Sequence, residues 1–206
     1  MARKTYPLNQ SPLFKLQSRK KLAETILHVD LQTLEQLANA ASNYRVYDVF
    51  HSHKPRHVEQ PRSFLEGLHR RLYRLLNCIE KPDYLHSGTR GRSHVTNARL
   101  HASGTPLVKL DIRKFYPSTG QAMVFRFFHE RLHCSRDVSG LLAKLCTFEG
   151  HVPLGSCISH LLAFFSAQPM LDELASLAKQ RGLTFSCYID DLVFSGTQAT
   201  PSFLWE

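Results

Sequence analysis

The stretch Phe185 to Gly196, FSCYIDDLVFSG, sets two adjacent aspartates inside a run that otherwise reads as buried β-strand. An unpaired carboxylate in an apolar setting is strongly disfavoured, and two neighbouring ones also repel each other. Cations compensate such a cluster. Hard carboxylate oxygens suit Mg²⁺, which takes one or two of them and fills its remaining positions with water and substrate phosphates. Successive strand residues point to opposite faces, so Asp190 and Asp191 cannot reach one ligand from a regular strand. They can at the tip of a tight hairpin, and FSCY and LVFSG supply two β-prone arms with only Ile-Asp-Asp between them. A third carboxylate, Asp111, stands near the C-terminal end of the short apolar segment PLVKLDI, a strand expected to lie beside this hairpin. Three aspartates on neighbouring strands make a platform for two ions about 3.5–4 Å apart, which stabilise the attacking and leaving oxygens of an in-line phosphoryl transfer. For Asp-Asp alone, a solvated β-turn is the commoner structure.

The elements that position these residues follow from shifts of period. A helical region runs from about Arg19 to Ala41, with Leu31, Leu34, Leu37 and Ala41 at helical spacing behind an Asp30 cap. YRVYDVF and PRHVEQP read as two strands joined by a turn at HSHK, a hairpin with a basic loop. From Ser63 to Ile79 the residues Phe64, Leu68, Leu72, Leu75 and Ile79 mark one helix face, with Arg70, Arg71 and Arg74 as a solvated basic face and Pro82 closing the segment. SGTRGRSHVTNARLHASG reads as a loop before the Asp111 strand. Helices are expected at Gln121 to Leu132, Asp137 to Phe148 and Ser159 to Gly182, the last kinked at Pro169. The fold class is therefore α+β.

Composition limits the partners. A chain of 206 residues, 43% hydrophobic, is large enough to bury a core, and its formal charge of +9 favours a polyanion, nucleic acid before membrane. Five cysteines without a C-x-x-C pair argue against a disulfide framework and a zinc ribbon. The start MARKTYPLNQ has no apolar core of a signal peptide and no run is long enough to span a bilayer, so the expectation is a cytoplasmic protein with no membrane partner. His51 and His53 share a strand side but lack further ligands nearby, so HSH is read as a polar turn.

YIDDLVFSG resembles the Tyr-x-Asp-Asp motif of reverse transcriptases, and KLDIRKFYPS their other catalytic motif, an aspartate followed by an aromatic and Pro-Ser. KPRHVEQP looks like the fingers pattern of that family, and HVPLGSCIS stands in the place of its Pro-Gln-Gly-x-x-x-Ser segment. GRSHVTNARLH carries Asn-Ala-x-x-His, here Asn97, Ala98 and His101, which resembles the signature of the bacterial retron enzymes. The order of five motifs from about Tyr44 to Gly196 is more specific than any one of them.

The resemblance implies a right-hand polymerase with an antiparallel palm sheet packed on helices: an N-terminal helical extension at 1–43, fingers at 44–106 and palm at 107–206. It implies that Asp111, Asp190 and Asp191 are catalytic and hold two Mg²⁺ ions, or Mn²⁺, with the carbonyl of Ile112 as a further ligand. Tyr116 would pack under the nucleotide sugar and select deoxynucleotides; packing in the core is its plainer role. Lys54, Arg56 and Arg113 would meet the triphosphate, and Gly155 and Ser156 would let backbone approach the nucleotide. Arg90, Arg92, Asn97, Arg99 and His101 would lie against nucleic acid, the arginines through phosphates and His101 by orienting the chain; an exposed basic loop is the plainer alternative.

By the same resemblance the activity is RNA-directed DNA synthesis from dNTPs on a structured noncoding RNA that is both template and primer, leaving a DNA product, in antiphage defence and with an effector protein as a further partner. The chain departs from the family at Leu154, which replaces a glutamine and so cannot hydrogen-bond through its side chain. Ten residues follow Gly196, so the thumb is expected to be missing, as in a fragment of a longer reading frame or a short form that works with another subunit. Two alternatives stand beside the enzyme: a non-catalytic RNA-binding remnant of a polymerase, and an antiphage reverse transcriptase that uses no retron RNA.

Overall fold

The computed structural model describes residues 5–51 and 54–197, with the side chains of residues 41, 51 and 54 left aside. In chain order its elements are α1 Leu31–Asn39, β1 Tyr44–His51, β2 Lys54–Pro61, α2 Ser63–Leu76, α3 His94–Leu100, β3 Leu107–Asp111, α4 Phe115–Ser118, α5 Gln121–Arg126, α6 Arg136–Cys146, α7 Ser159–Gln180, β4 Thr184–Tyr188 and β5 Asp191–Ser195. The α+β class is as expected, and both sheets are antiparallel. Contacts gather the chain into two compact units, one built from residues up to 80 with 116–166, the other from 81–115 with the residues from 167 onward. Their limits do not coincide with boundaries at 43/44 or 106/107.

In the first unit, the Arg19–Ala41 region is two helical pieces. A wide helical turn over Lys21–Leu27 ends at His28, whose left-handed backbone (φ 55°) stops it, and α1 restarts after Asp30. Asp30 is the cap that the spacing predicts, its carboxylate accepting from the Thr33 N–H at 2.8 Å. β1 and β2 pair from Tyr44 opposite Pro61 to His51 opposite Lys54. Ser52 and His53 lie outside the described residues, as does the His51 side chain, and with them the reading of HSH. The ribbon leaves Val46, Tyr47, Val49 and Phe50 exposed.

Helix α2 ends at Leu76, and its buried face is rotated from the expected stripe. Leu65, Leu68, His69, Leu72 and Leu76 are buried, whereas Phe64 is exposed and Leu75 half-buried. A histidine takes a core position because both ring nitrogens find partners there, Ser156 Oγ at 2.7 Å and the Leu145 carbonyl at 2.9 Å. Arg70 and Arg74 are exposed, Arg70 pairing with Glu66 at 2.7 Å, whereas half-buried Arg71 donates to the Leu27 carbonyl. The segment expected as one helix from Gln121 to Leu132 is α5 followed by a widened turn over Phe127–Arg131. α6 begins at Arg136, where the Ser135 hydroxyl accepts from the Val138 N–H. Phe127 stacks on Phe165 with ring centroids 5.1 Å apart, and Phe128 and Phe164 complete that aromatic core.

The second unit contains a three-stranded sheet in the order β3-β5-β4. Its apolar side is Phe185, Cys187, Leu192 and Phe194, all buried, with Phe185 and Phe194 ring centroids 4.8 Å apart. β3 is more exposed than its apolar sequence suggests, alternating between exposed and half-buried positions as an edge strand does. Tyr84 to His86 run parallel to β4 on its other side: the Cys187 N–H donates to the Tyr84 carbonyl at 2.8 Å, and the His86 N–H to the Cys187 carbonyl at 2.9 Å. The segment read as a loop holds helix α3. Ser93 and Thr96 form its capping box, each side chain bonding the other's backbone N–H. α7 starts in the first unit, continues in the second through Pro169 and ends at Gln180. No helix among the described residues is long and apolar enough to cross a membrane.

Candidate active site

The β4–β5 hairpin closes through a two-residue turn, Ile189 and Asp190, between the paired Tyr188 and Asp191. Ile189 is left-handed (φ 61°), a conformation that a β-branched side chain adopts only when its surroundings impose it. Two hydrogen bonds do so. The Ile189 N–H donates to Ser87 Oγ at 3.0 Å, and the Ile112 N–H donates to the Asp190 carbonyl at 2.9 Å, tying the turn to the chain just beyond β3. Asp111 ends β3 directly opposite Asp191 at the start of β5.

Asp111, Asp190 and Asp191 are thereby brought together, one carboxylate oxygen from each lying within 4.8 Å of the others. Asp111 is exposed and the other two are half-buried. Burial raises the Asp190 carboxyl pKa from its ordinary value, and the negative charges of Asp111 and Asp191 add to the effect. A set of hard oxygens that repel one another fits a divalent cation by its donor chemistry. Lys109, which the motif reading passed over, supplies an ammonium 2.9 Å from Asp191 Oδ1. The signal for it was the strand alternation, which puts Lys109 and Asp111 on one side of β3. The hydrogen bond to Asp191 raises the Lys109 pKa, with the three aspartate charges assisting.

The candidate nucleic-acid residues of this unit divide by environment. Arg90, Arg99 and Arg113 are exposed. Arg92 is engaged by its own loop, donating to the carbonyls of Pro82, Asp83 and Leu85 and to the Asp83 carboxylate, so that its guanidinium shapes the backbone before α3. His101 is buried, with Ser195 Oγ 2.7 Å from Nδ1 and Ser186 Oγ 2.7 Å from Nε2. Both ring nitrogens are therefore engaged within the fold. Asn97 lines a cavity of about 340 Å³ with His94, His101, Lys109, Tyr188 and Asp191. Its side-chain oxygen is buried and has no hydrogen-bond partner among the described residues.

The remaining candidates belong to the first unit. Arg56 is exposed on β2 and Tyr116 half-buried in α4, while the Lys54 side chain lies outside the described residues. Gly155 has φ 132°, and a Cβ there would stand 2.9 Å from Val58 Cγ1 and 3.2 Å from the Glu59 carbonyl, so the close approach that requires glycine is to β2. The same loop is anchored by buried Glu59, whose carboxylate meets His151 Nε2 at 3.0 Å and the Leu154 N–H at 3.3 Å. Leu154 returns a bond, its carbonyl accepting from the Glu59 N–H at 2.6 Å. Ser156 Oγ is held by His69.

No protein-family model matches the chain. Among curated proteins it is similar to the Retron Se72 reverse transcriptase of Salmonella heidelberg (strain 579083-10), with 29% identity over 202 residues, 94% of this chain and 51% of that protein. It is 27% identical to the Retron Ec86 reverse transcriptase of Escherichia coli over 172 residues, 81% of this chain and 53% of the relative. With the Retron Mx65 reverse transcriptase of Myxococcus xanthus the identity is 32% over 162 residues, 69% and 38% of the two chains. The chain spans about half the length of the first two of these relatives. The chain is thus similar to several retron reverse transcriptases over most of its length, in line with the order of its motifs.

Proposed function

We propose that the chain contributes the fingers and palm of an RNA-directed DNA polymerase of retron type, which adds deoxynucleotides to a primer 3′-hydroxyl on an RNA template. The observation that carries this reading is the meeting of Asp111, Asp190 and Asp191 at one end of the β3-β5-β4 sheet, within 4.8 Å of one another. Their oxygens, with the Ile112 carbonyl, would hold two Mg²⁺ ions, or Mn²⁺. Such ions supply activation of the hydroxyl and neutralisation of charge developing on the phosphate.

The other roles belong to the chain's own groups. Tyr116 would bound the sugar, Lys54, Arg56 and Arg113 would pair with triphosphate oxygens, and Arg90 and Arg99 would accompany the backbone of template or primer, whereas Arg92 is committed to its own loop. Gly155 and Ser156 would act by holding their loop in shape against β2 and His69. A division into an extension at 1–43, fingers at 44–106 and palm at 107–206 is part of this reading, as are a structured noncoding RNA as template and primer, a DNA product, cytoplasmic location and a role in antiphage defence with an effector protein. The formal charge of +9 supports a polyanionic partner.

The test is Mg²⁺-dependent extension of a DNA primer on an RNA template, comparing the parent chain with Asp190→Ala and Asp191→Ala. Extension by the parent alone is the expected result. Equal extension by parent and variants overturns the assignment of the carboxylates, and RNA binding without extension in all three favours the non-catalytic remnant.

A further inference from the structure

We infer that Lys109 is the resident counter-ion of the aspartate cluster: its ammonium pairs with Asp191 while no divalent cation is bound, is expelled when one enters, and so sets the metal affinity of the site. This rests on the proposed reading of the three aspartates as a metal site.

Three observations carry it. The ammonium is 2.9 Å from Oδ1 of Asp191, one of the three carboxylates of the cluster. Lys109 precedes Asp111 by two residues on edge strand β3, so its stem rises from the same side of the sheet as Asp111, and its side chain is 56% exposed. It can therefore leave without disturbing the core. Lys109 and Asp191 also line the open cavity of about 340 Å³ bounded by His94, Asn97, His101 and Tyr188. A displaced lysine has room there.

An ammonium and a dication that share one carboxylate repel each other, and the lysine has the lower charge. A loaded site thus disfavours the pair seen here. Each loading event must break the ion pair, which weakens metal binding relative to a chain with a neutral residue at 109. Reversal of charge balance is also avoided in the empty state, where Asp111 and Asp191 stand opposite each other.

The experiment is Mn²⁺ binding followed by electron paramagnetic resonance and calorimetry, on the parent chain, Lys109→Gln, Lys109→Arg and Asp190→Ala. Lys109→Gln is expected to bind Mn²⁺ about three- to tenfold more tightly than the parent, the range for removing one partly exposed charge beside a dication. Lys109→Arg, which keeps the charge, is expected to stay within about twofold of the parent. Lys109→Thr, suited to a strand, repeats the expectation if the glutamine variant does not fold. Unchanged or weaker binding in the neutral variants, with binding still lost in Asp190→Ala, overturns the counter-ion role and leaves the metal site standing. Absence of Asp190-dependent Mn²⁺ binding in the parent overturns both.

Discussion

Asp111 and Asp191 face each other across β3 and β5 as direct register partners, although like charges in that position destabilise a sheet. In the absence of metal this pair weakens the β3–β5 pairing by the part of the repulsion that Lys109 does not offset. Asp111→Asn is accordingly expected to raise the thermal midpoint in chelator, by about 0.2–1 kcal/mol of stability. Addition of Mg²⁺ should raise the midpoint of the parent and leave that of the variant nearly unmoved. Differential scanning fluorimetry with EDTA and with Mg²⁺ checks both, and a variant less stable than the parent in EDTA would refute the repulsion.

His69 makes the first unit sensitive to acid. Its Nε2 must donate to the Leu145 carbonyl, which leaves Nδ1 to accept from the Ser156 hydroxyl and fixes a neutral tautomer. Burial lowers its pKa from 6.5 to about 4, against the opposing effects of the Leu145 bond and Glu66. A depressed folded pKa contributes stability that is present above the unfolded value and lost as pH falls from about 6.5 through about 4. The slope from this residue approaches about 1.4 kcal/mol per pH unit in that window. Urea unfolding at pH 7, 6 and 5 should show a steeper loss for the parent than for His69→Gln, which is expected to be less stable at pH 7. Parallel pH profiles would refute the assignment.

Gly155 is required by geometry. At φ 132° an alanine is strained, and its Cβ would meet Val58 Cγ1 at 2.9 Å. Gly155→Ala should cost about 1–3 kcal/mol in urea unfolding. Mn²⁺ binding by the aspartates, which belong to the other unit, should be unchanged. A neutral effect on stability would show that β2 yields to the new methyl group.

The β4–β5 tip was legible because only a turn lets Asp190 and Asp191 share a ligand, and the flanking arms have strand composition. Asp111 followed from its place near the end of PLVKLDI. What escaped has physical causes. Helix α3 is short and lies between glycine- and arginine-containing residues, so its start rested on Ser93 and Thr96, a capping box with threonine in the usual place of glutamate. The α2 face was misplaced because His69 reads as polar, whereas its two partners, Ser156 and Leu145, arrive from far along the chain. Lys109 was missed because a search for metal ligands passes over the cation that stands in for one. The two units interleave four stretches of chain, a non-local arrangement that no local period records.

His101 joins the two strands of the hairpin that displays Asp190 and Asp191. Both ring nitrogens bond serine hydroxyls at 2.7 Å, Ser186 on β4 and Ser195 on β5, and both serines are buried. His101→Ala leaves two buried hydroxyls unpaired, at about 1–3 kcal/mol each. Removing the hydroxyls along with the ring should lift much of that penalty, because an apolar replacement of all partners leaves nothing unsatisfied. The triple variant His101→Ala, Ser186→Ala, Ser195→Ala is therefore expected to be more stable than His101→Ala alone, as read by urea unfolding. Mn²⁺ affinity should not recover in parallel, because the triple variant restores polar balance without restoring the clamp across β4 and β5. If the triple variant is no more stable than the single one, the ring acts through packing instead. If Mn²⁺ affinity is untouched in both, β4 and β5 hold the aspartates without it.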